Sequence, residues 1–262
     1  MDKSNPLFSI ITVSFNSAKT IEKTILSVLN QTYKNIEYII IDGDSTDGTV
    51  DIIKKYSDKI TYWVSEKDNG ISDAFNKGIR ASHGEIIGII NSDDWYEKDA
   101  LEVIMKLDEE NNADLYVGSI RYWSSGENIV VYPDKNFKKT IRSRTTHINH
   151  PASFFKKRTY DDIGMFNLKY KYAMDRDLFL RVAQNNKRVS FTNSVLSNMS
   201  SGGVSNIFEE KATLENFKMT KNKIIGAFWY VFSIFRIKIK KIIISCGGIK
   251  IFFKIKNIMY KK

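Results

Sequence analysis

One cysteine, Cys246, stands in a chain of 262 residues, which excludes an intramolecular disulfide and a cysteine zinc cluster. The three histidines, His83, His147 and His150, form no HExxH-type pair, so a histidine-rich metal site is not expected either. Near Met1 no stretch joins a charged start, a short apolar run and a small-residue cleavage site, and the chain is expected to be cytoplasmic. "SFNSAKT" (14–20) holds no glycine after the first apolar run, where a dinucleotide dehydrogenase needs GxGxxG. Acidic residues are missing altogether after Glu215, while twelve lysines and arginines follow it. Taking those twelve from the 40 Lys and Arg leaves 28 against 30 Asp and Glu, so residues 1–215 are net −2 although the whole chain is +10. The basic character belongs to the tail, and no nucleic-acid partner is expected from the body of the protein.

What remains is 42% hydrophobic, enough for one full core and a smaller appendage. "FSIITVSF" (8–15), "IEYIIID" (36–42), "ITYWVSE" (60–66) and "EIIGIIN" (85–91) read as strands. Between and after them, helices are predicted over 18–31, 49–56, 71–82 and 98–110, the first from Ile21, Ile25, Val28 and Leu29 at helical spacing. Continuous apolar runs suit strands covered on both faces. Alternation of this kind predicts an α/β domain around a mostly parallel central sheet flanked by helices.

Ligands of such sheets bind beyond the carboxyl ends of the strands. Ser14 and Asn16 follow the first strand, Asp42, Asp44, Ser45 and Asp47 the second, Glu66 and Asp68 the third. The fourth runs into a carboxylate pair, "IGIINSDDWY" (87–96). Part of this is what helix starts require: Asp94 with Glu97 fits a capping box, and Ser45 or Asp47 suits a cap for the second helix. A cap needs one carboxylate, however, and Asp93–Asp94 supplies two. A hard divalent cation, Mg²⁺ or Mn²⁺, accounts for the pair, because it takes oxygen ligands from one or two carboxylates and from substrate phosphates.

The ordered set "FSIITVSFN", "IEYIIIDGDSTDGTVDII", "SEKDNGISDAFNKGIRASHGEIIGIINSDD", "HPASFFKK" and "YAMDRDLFLRV" resembles the inverting family 2 glycosyltransferases of the GT-A fold, over roughly residues 8–205. The resemblance implies transfer of a sugar from a nucleoside-diphosphate donor, by family frequency a UDP-sugar, with Mn²⁺ or Mg²⁺ on the diphosphate. It implies a nucleotide-sugar-binding half at 1–112, an acceptor and catalytic-base half at 113–206, and a basic amphipathic C-terminal extension at 207–262. "SDD" corresponds to the DXD-type motif, with Asp94 as metal ligand and Asp93 either reaching the donor ribose or sharing the metal. Thr12, Ser14, Asn16, Asp42 and Asp68 fall at donor-binding positions. The family often pairs two Asp residues at the end of strand two; Gly43 stands at the second place here, so Asp42, Asp44 or backbone groups are left to read the base. A sugar-nucleotide pyrophosphorylase is set aside, since its glycine-rich loop with Arg is absent between Phe8 and Lys19.

In the second half, Asp175 and Asp177 open a predicted helix within 169–186, where an acidic residue is also favoured by the helix dipole. By the resemblance Asp175 is the general base and Asp177 an alternative. His150 matches a position that contacts acceptor or donor phosphates, although a lone His also serves as a backbone hydrogen-bond partner. The glycines of "SGGVS" (201–205) either close the backbone over a diphosphate or make a turn. The apolar run 224–235 is shorter than the ~20 residues that span a bilayer, and the Lys, Ile and Phe that follow suit a segment lying on an anionic membrane surface. An oligomer contact or a solvated basic face are the other readings of the tail. The resemblance points to a glycan or polyprenyl-diphosphate-linked acceptor in bacterial surface polysaccharide (O-antigen or capsule) synthesis, and an inactive nucleotide-sugar or carbohydrate-binding scaffold is the rival class.

Overall fold

The computed structural model describes residues 5–124, 126–142, 148–200, 208–220 and 223–245. Four strands, β1 (Phe8–Ser14), β2 (Ile36–Asp42), β3 (Tyr62–Ser65) and β4 (Ile86–Asn91), alternate with helices α1 (Ile21–Leu29), α2 (Thr49–Lys55) and α3 (Ile71–Ala81). All seven residues of β1 are buried, as its unbroken apolar run requires of a central strand. A short β5 (Trp95–Tyr96) and helix α4 (Ala100–Asn111) follow. The second half adds β6 (Leu115–Ser124), β7 (Glu127–Val131), the single-turn α5 (Phe137–Thr140), β8 (Ser153–Lys156), α6 (Lys157–Ile163), α7 (Met174–Gln184) and β9 (Val189–Ser200).

The strands form one sheet of order β3-β2-β1-β4-β8-β6-β9-β5, with β7 paired to Ile120–Ser124 of β6, beyond the stretch that β8 pairs. Because β8 runs antiparallel to both β4 and β6, six of the nine strands share one direction, the mostly parallel sheet predicted. Register sets the strand ends level: Ser14 lies opposite Asp42, and Val13 opposite Asn91. Two cores follow from the alternation of side chains. Phe8, Ile10, Tyr38 and Ile40 meet α1 and α4 on one face, while Ile11, Val13, Ile39 and Ile41 meet α3 and α7 on the other. Helix α3 lies so close to β1 that a Cβ at Gly78 would sit 2.4 Å from the Ile11 side chain.

Local signals near Asp94 gave way to sheet pairing. The capping box read from Asp94 and Glu97 does not form, because Trp95 and Tyr96 pair with Asn198 and Ser197 of β9 and the helix starts only at Ala100. The tail is helical: α8 (Glu209–Met219) and α9 (Lys223–Ser245) form a hairpin, with Phe217 against Tyr230 at 5.4 Å between ring centres. Residues 201–205 and those after 245 lie outside the described residues, and with them the glycine-loop reading and the last third of the basic tail.

Candidate active site

The carboxyl ends of β1, β2 and β3 are tied by one buried acid. Asp42 is 0% exposed and accepts four hydrogen bonds: from Ser14 Oγ (2.8 Å), Ser45 Oγ (2.6 Å), Ser45 N (2.9 Å) and Ser65 Oγ (2.7 Å). A carboxylate this fully satisfied holds strand ends together, so its side chain has no capacity left for a ligand. Thr12 is likewise fully buried, its hydroxyl bonded to that of Tyr38 at 3.0 Å. The Thr12, Ser14 and Asp42 side chains, expected at donor-binding positions, are here bonded beneath the strand ends, Thr12 to Tyr38, Ser14 to Asp42, and Asp42 also to Ser45 and Ser65.

Beyond these strand ends stands what sequence reasoning missed. Phe15, the first residue past β1, is 64% exposed. Its ring and the Asp68 carboxylate both close on Gly43, where a Cβ would lie 2.7 Å from Asp68 Oδ2 and 3.4 Å from Phe15. A side chain at position 43 would therefore displace the Asp68 carboxylate from the place it takes beside Phe15. Asp68 keeps its position by accepting the Gly70 amide at 2.7 Å. Asn16, in the left-handed backbone region at φ 49°, accepts the Thr46 amide and donates its own to Ser45 Oγ. The cap expected of Ser45 or Asp47 does not form: Gly48, in the left-handed region, stands at the N-cap of α2, while Asp47 ties the Thr49 and Ala18 amides from one residue before it and Ser45 serves Asp42.

The β4 end carries the charge. Asp94 is 2% exposed; its Oδ1 accepts the Ser200 amide at 2.9 Å and its Oδ2 is buried without a partner. Asp93 accepts the Ser200 hydroxyl at 3.1 Å, so the end of β9 holds both carboxylates. Burial first, then the charge of Asp93, pushes the Asp94 carboxyl up to about 8. An orphaned buried oxygen beside a second carboxylate is a place where a cation relieves the cost. Among the described residues no three or more His, Cys, Asp or Glu side chains gather into a metal site. The fit is to a hard divalent ion that takes one or two carboxylates from the protein and the rest of its oxygens from phosphates and water.

On the α7 side, His150 Nδ1 lies 2.9 Å from Asp175 Oδ2. His150 also packs on Phe75, ring centres 5.6 Å apart. Burial drives the imidazole toward neutrality, but Asp175, helped by Asp94 and Asp93, outweighs it and raises the His150 pKa above the usual histidine value. The four groups therefore share one electrostatic field. His150 Nε2 and Asp175 Oδ1 are buried without partners, and a cavity of about 10 Å³, room for about one water, is bordered by His150, Ser153, Tyr160, Phe166 and Asp175. Asp177 is not part of this cluster. It binds Arg181 at 2.9 Å, and Arg181 in turn donates to the carbonyls of Ile163, Gly164 and Met165. In this structure Asp177 thus anchors, through Arg181, the turn at 163–165.

Known proteins resemble this chain in sequence and in fold. Residues 9–180 match the model of Glycosyl transferase family 2. An uncharacterized glycosyltransferase of Mycobacterium tuberculosis is 30% identical over 188 residues, which are 69% of this chain and 70% of the relative. Residues 1–349 of Staphylococcus aureus TarS, solved in complex with UDP-GlcNAc, superpose with a TM-score of 0.65 at 20% identity, over 81% of this chain and 66% of that one. A Pyrobaculum calidifontis mannosyltransferase, solved with GDP-Man and Mn²⁺, gives a TM-score of 0.65 at 18% identity, over 82% and 64% respectively. The chain thus spans just under two thirds of each of these solved structures.

Proposed function

The chain belongs to glycosyltransferase family 2 and has its GT-A α/β fold, and from that premise we propose that it moves a sugar from a UDP-sugar to an acceptor hydroxyl with inversion. The acceptor proposed is a glycan or a polyprenyl-diphosphate-linked oligosaccharide, as in assembly of a bacterial surface polysaccharide such as O-antigen or capsule. One observation carries this reading: two acids each hold a buried, unpartnered oxygen, Asp94 after β4 and Asp175 at the start of α7, and His150 lies within the field of both.

The roles follow from position. Phe15, Asn16 and Asp68 border the nucleoside, the aromatic ring offering a flat apolar face and the carboxylate an acceptor for N–H or ribose O–H. Asp94, with Asp93, holds Mn²⁺ or Mg²⁺, which when bound neutralises the charge gathering on the departing diphosphate. Asp175 takes the acceptor hydroxyl's proton as that oxygen bonds to the anomeric carbon. The bond from that carbon to the diphosphate oxygen breaks on the opposite face, and its electron pair leaves with the nucleoside diphosphate. His150 orients Asp175 through Nδ1, leaving Oδ1 to receive the proton. The test is a screen of UDP- and GDP-sugars for acceptor-dependent release of nucleoside diphosphate. Release from a UDP-sugar is expected; tight donor binding with no turnover on any acceptor identifies a scaffold instead.

The location proposed is the cytoplasmic face of the membrane, a reading that the tail supports. Among the described residues no helix is long and apolar enough to cross a bilayer. Ile237 of α9 is buried, whereas Ile224, Phe228, Val231, Phe235 and Ile242 project from the other side, Ile224 with 85% of its surface exposed. A stripe of this kind next to Lys223, Arg236 and Lys238 fits insertion into the headgroup boundary of an anionic bilayer. Phe228→Glu with Phe235→Glu is expected to abolish co-sedimentation with vesicles containing phosphatidylglycerol, and binding unchanged by this pair would remove the membrane role of α9.

A further inference from the structure

We infer that the C-terminal hairpin is part of the catalytic apparatus: Glu215 of α8 is a positioning residue that sets Asp175 by holding the chain leading into α7. The inference rests on the reading of Asp175 as the base. The Glu215 carboxylate accepts three consecutive backbone amides, Lys171 N on Oε1 at 3.1 Å and Tyr172 N and Ala173 N on Oε2, each at 2.9 Å. Those amides lie directly before α7, whose first N–H groups have no partner within the helix. The residue at the N-cap, Ala173, has no side chain that caps. A carboxylate from some 40 residues further along the chain thus fixes the segment that enters α7, with a charge that the helix start favours.

A second tie crosses the same joint. Arg176, the residue after Asp175, is buried and donates to Asn216 O at 2.8 Å, to Ile141 O at 2.6 Å and to Thr220 Oγ1 at 3.4 Å. All three acceptors are neutral, and among the described residues no carboxylate forms an ion pair with Arg176. A guanidinium is costly to bury on neutral oxygens alone; here it fastens α7 to both ends of its surroundings. Tyr172 adds ring contact with Phe208 at 5.1 Å. Residues 171, 172, 173 and 176 are therefore all held by α8 or its flanks, and they bracket Asp175. None of these bonds reaches Phe15, Asp68, Asp93 or Asp94 on the donor side.

That separation decides the test. Displacing a base by about 1 Å costs up to ~10² in rate without touching ligands bound elsewhere. In the full-length chain, Glu215→Ala is expected to lower kcat at least ~10-fold while donor KM and UDP affinity stay within about twofold. Glu215→Gln keeps one acceptor oxygen, enough for the Tyr172 and Ala173 amides, and is expected to recover most of the lost kcat. Hydrogen exchange at the amides of 171–173 is expected to quicken in the Ala variant and to stay slow in the Gln variant, which reads the clamp without any turnover. Wild-type kcat in a folded Glu215→Ala protein overturns the inference, as does a parallel change in donor KM and kcat that Gln fails to repair. If Glu215→Ala does not fold, Glu215→Gln decides: slow exchange with kcat down ~10-fold or more overturns it. A wild-type protein that transfers no sugar in the donor screen, with the 171–173 amides still protected by Glu215, marks failure of the base assignment and leaves Glu215 a structural cap only.

Discussion

Asp175→Asn is expected to lower sugar transfer by ~10² to 10⁴ in kcat, the usual worth of a positioned proton acceptor, with UDP affinity within about twofold of wild type. The amide is isosteric and still faces His150, so the helix and its packing are retained; what goes is the ability to take a proton at Oδ1, the oxygen left free by the 2.9 Å bond from Oδ2 to His150. Single-turnover kinetics with a UDP-sugar and saturating acceptor, beside equilibrium binding of UDP, separates the two quantities. A variant that turns over at the wild-type rate removes Asp175 as the base. One that loses UDP binding as well makes it part of the donor pocket instead.

Asp94→Asn is expected to lose metal-dependent donor affinity by more than ~10-fold, about 1.4 kcal/mol per decade, while melting at or above the wild-type temperature. The stability half of this expectation comes from the cost that Asp94 now bears. It is buried, one of its oxygens is unpartnered, and Asp93 stands next to it. With its carboxyl held up to about 8, Asp94 must take up a proton to stay buried at neutral pH, whereas an amide carries no such cost and keeps the bond from the Ser200 amide. A residue that destabilises the fold without its ligand, and whose removal costs function alone, is what a cation-holding acid should be. Thermal unfolding without added metal checks the stability half; a clear fall in melting temperature makes Asp94 a structural acid.

Much of the fold was written in the chain because its first half is built from local signals: apolar runs of strand length, helical spacing of Ile21, Ile25 and Val28, and polar residues after every strand. Those signals located the site edge and the Asp93–Asp94 pair. They did not show which polar side chains are exposed at that edge and which are buried beneath it, because the Thr12–Tyr38 and Ser14–Asp42 bonds join residues 26 and 28 apart on neighbouring strands. Phe15 gave a signal that was passed over, an aromatic residue placed just past the end of a buried strand. The capping box at Asp94 failed for a reason no short window contains: the pairing of Trp95 with Asn198, 103 positions on by their numbers, overrides the local preference. The second half was less legible, since β6, β8 and β9 are defined by each other, and the roles of Ser200, Asp177 and Glu215 appear only once the chain is folded.

Calorimetric titration of UDP into the wild-type protein and the Asp94→Asn variant, each with and without Mn²⁺, tests the central claim most directly. The account predicts binding to wild type that tightens at least ~10-fold with Mn²⁺, and no such gain in the variant. UDP binding that is equal in both proteins and indifferent to Mn²⁺ would contradict it, and with it the reason given for two adjacent carboxylates at the end of β4.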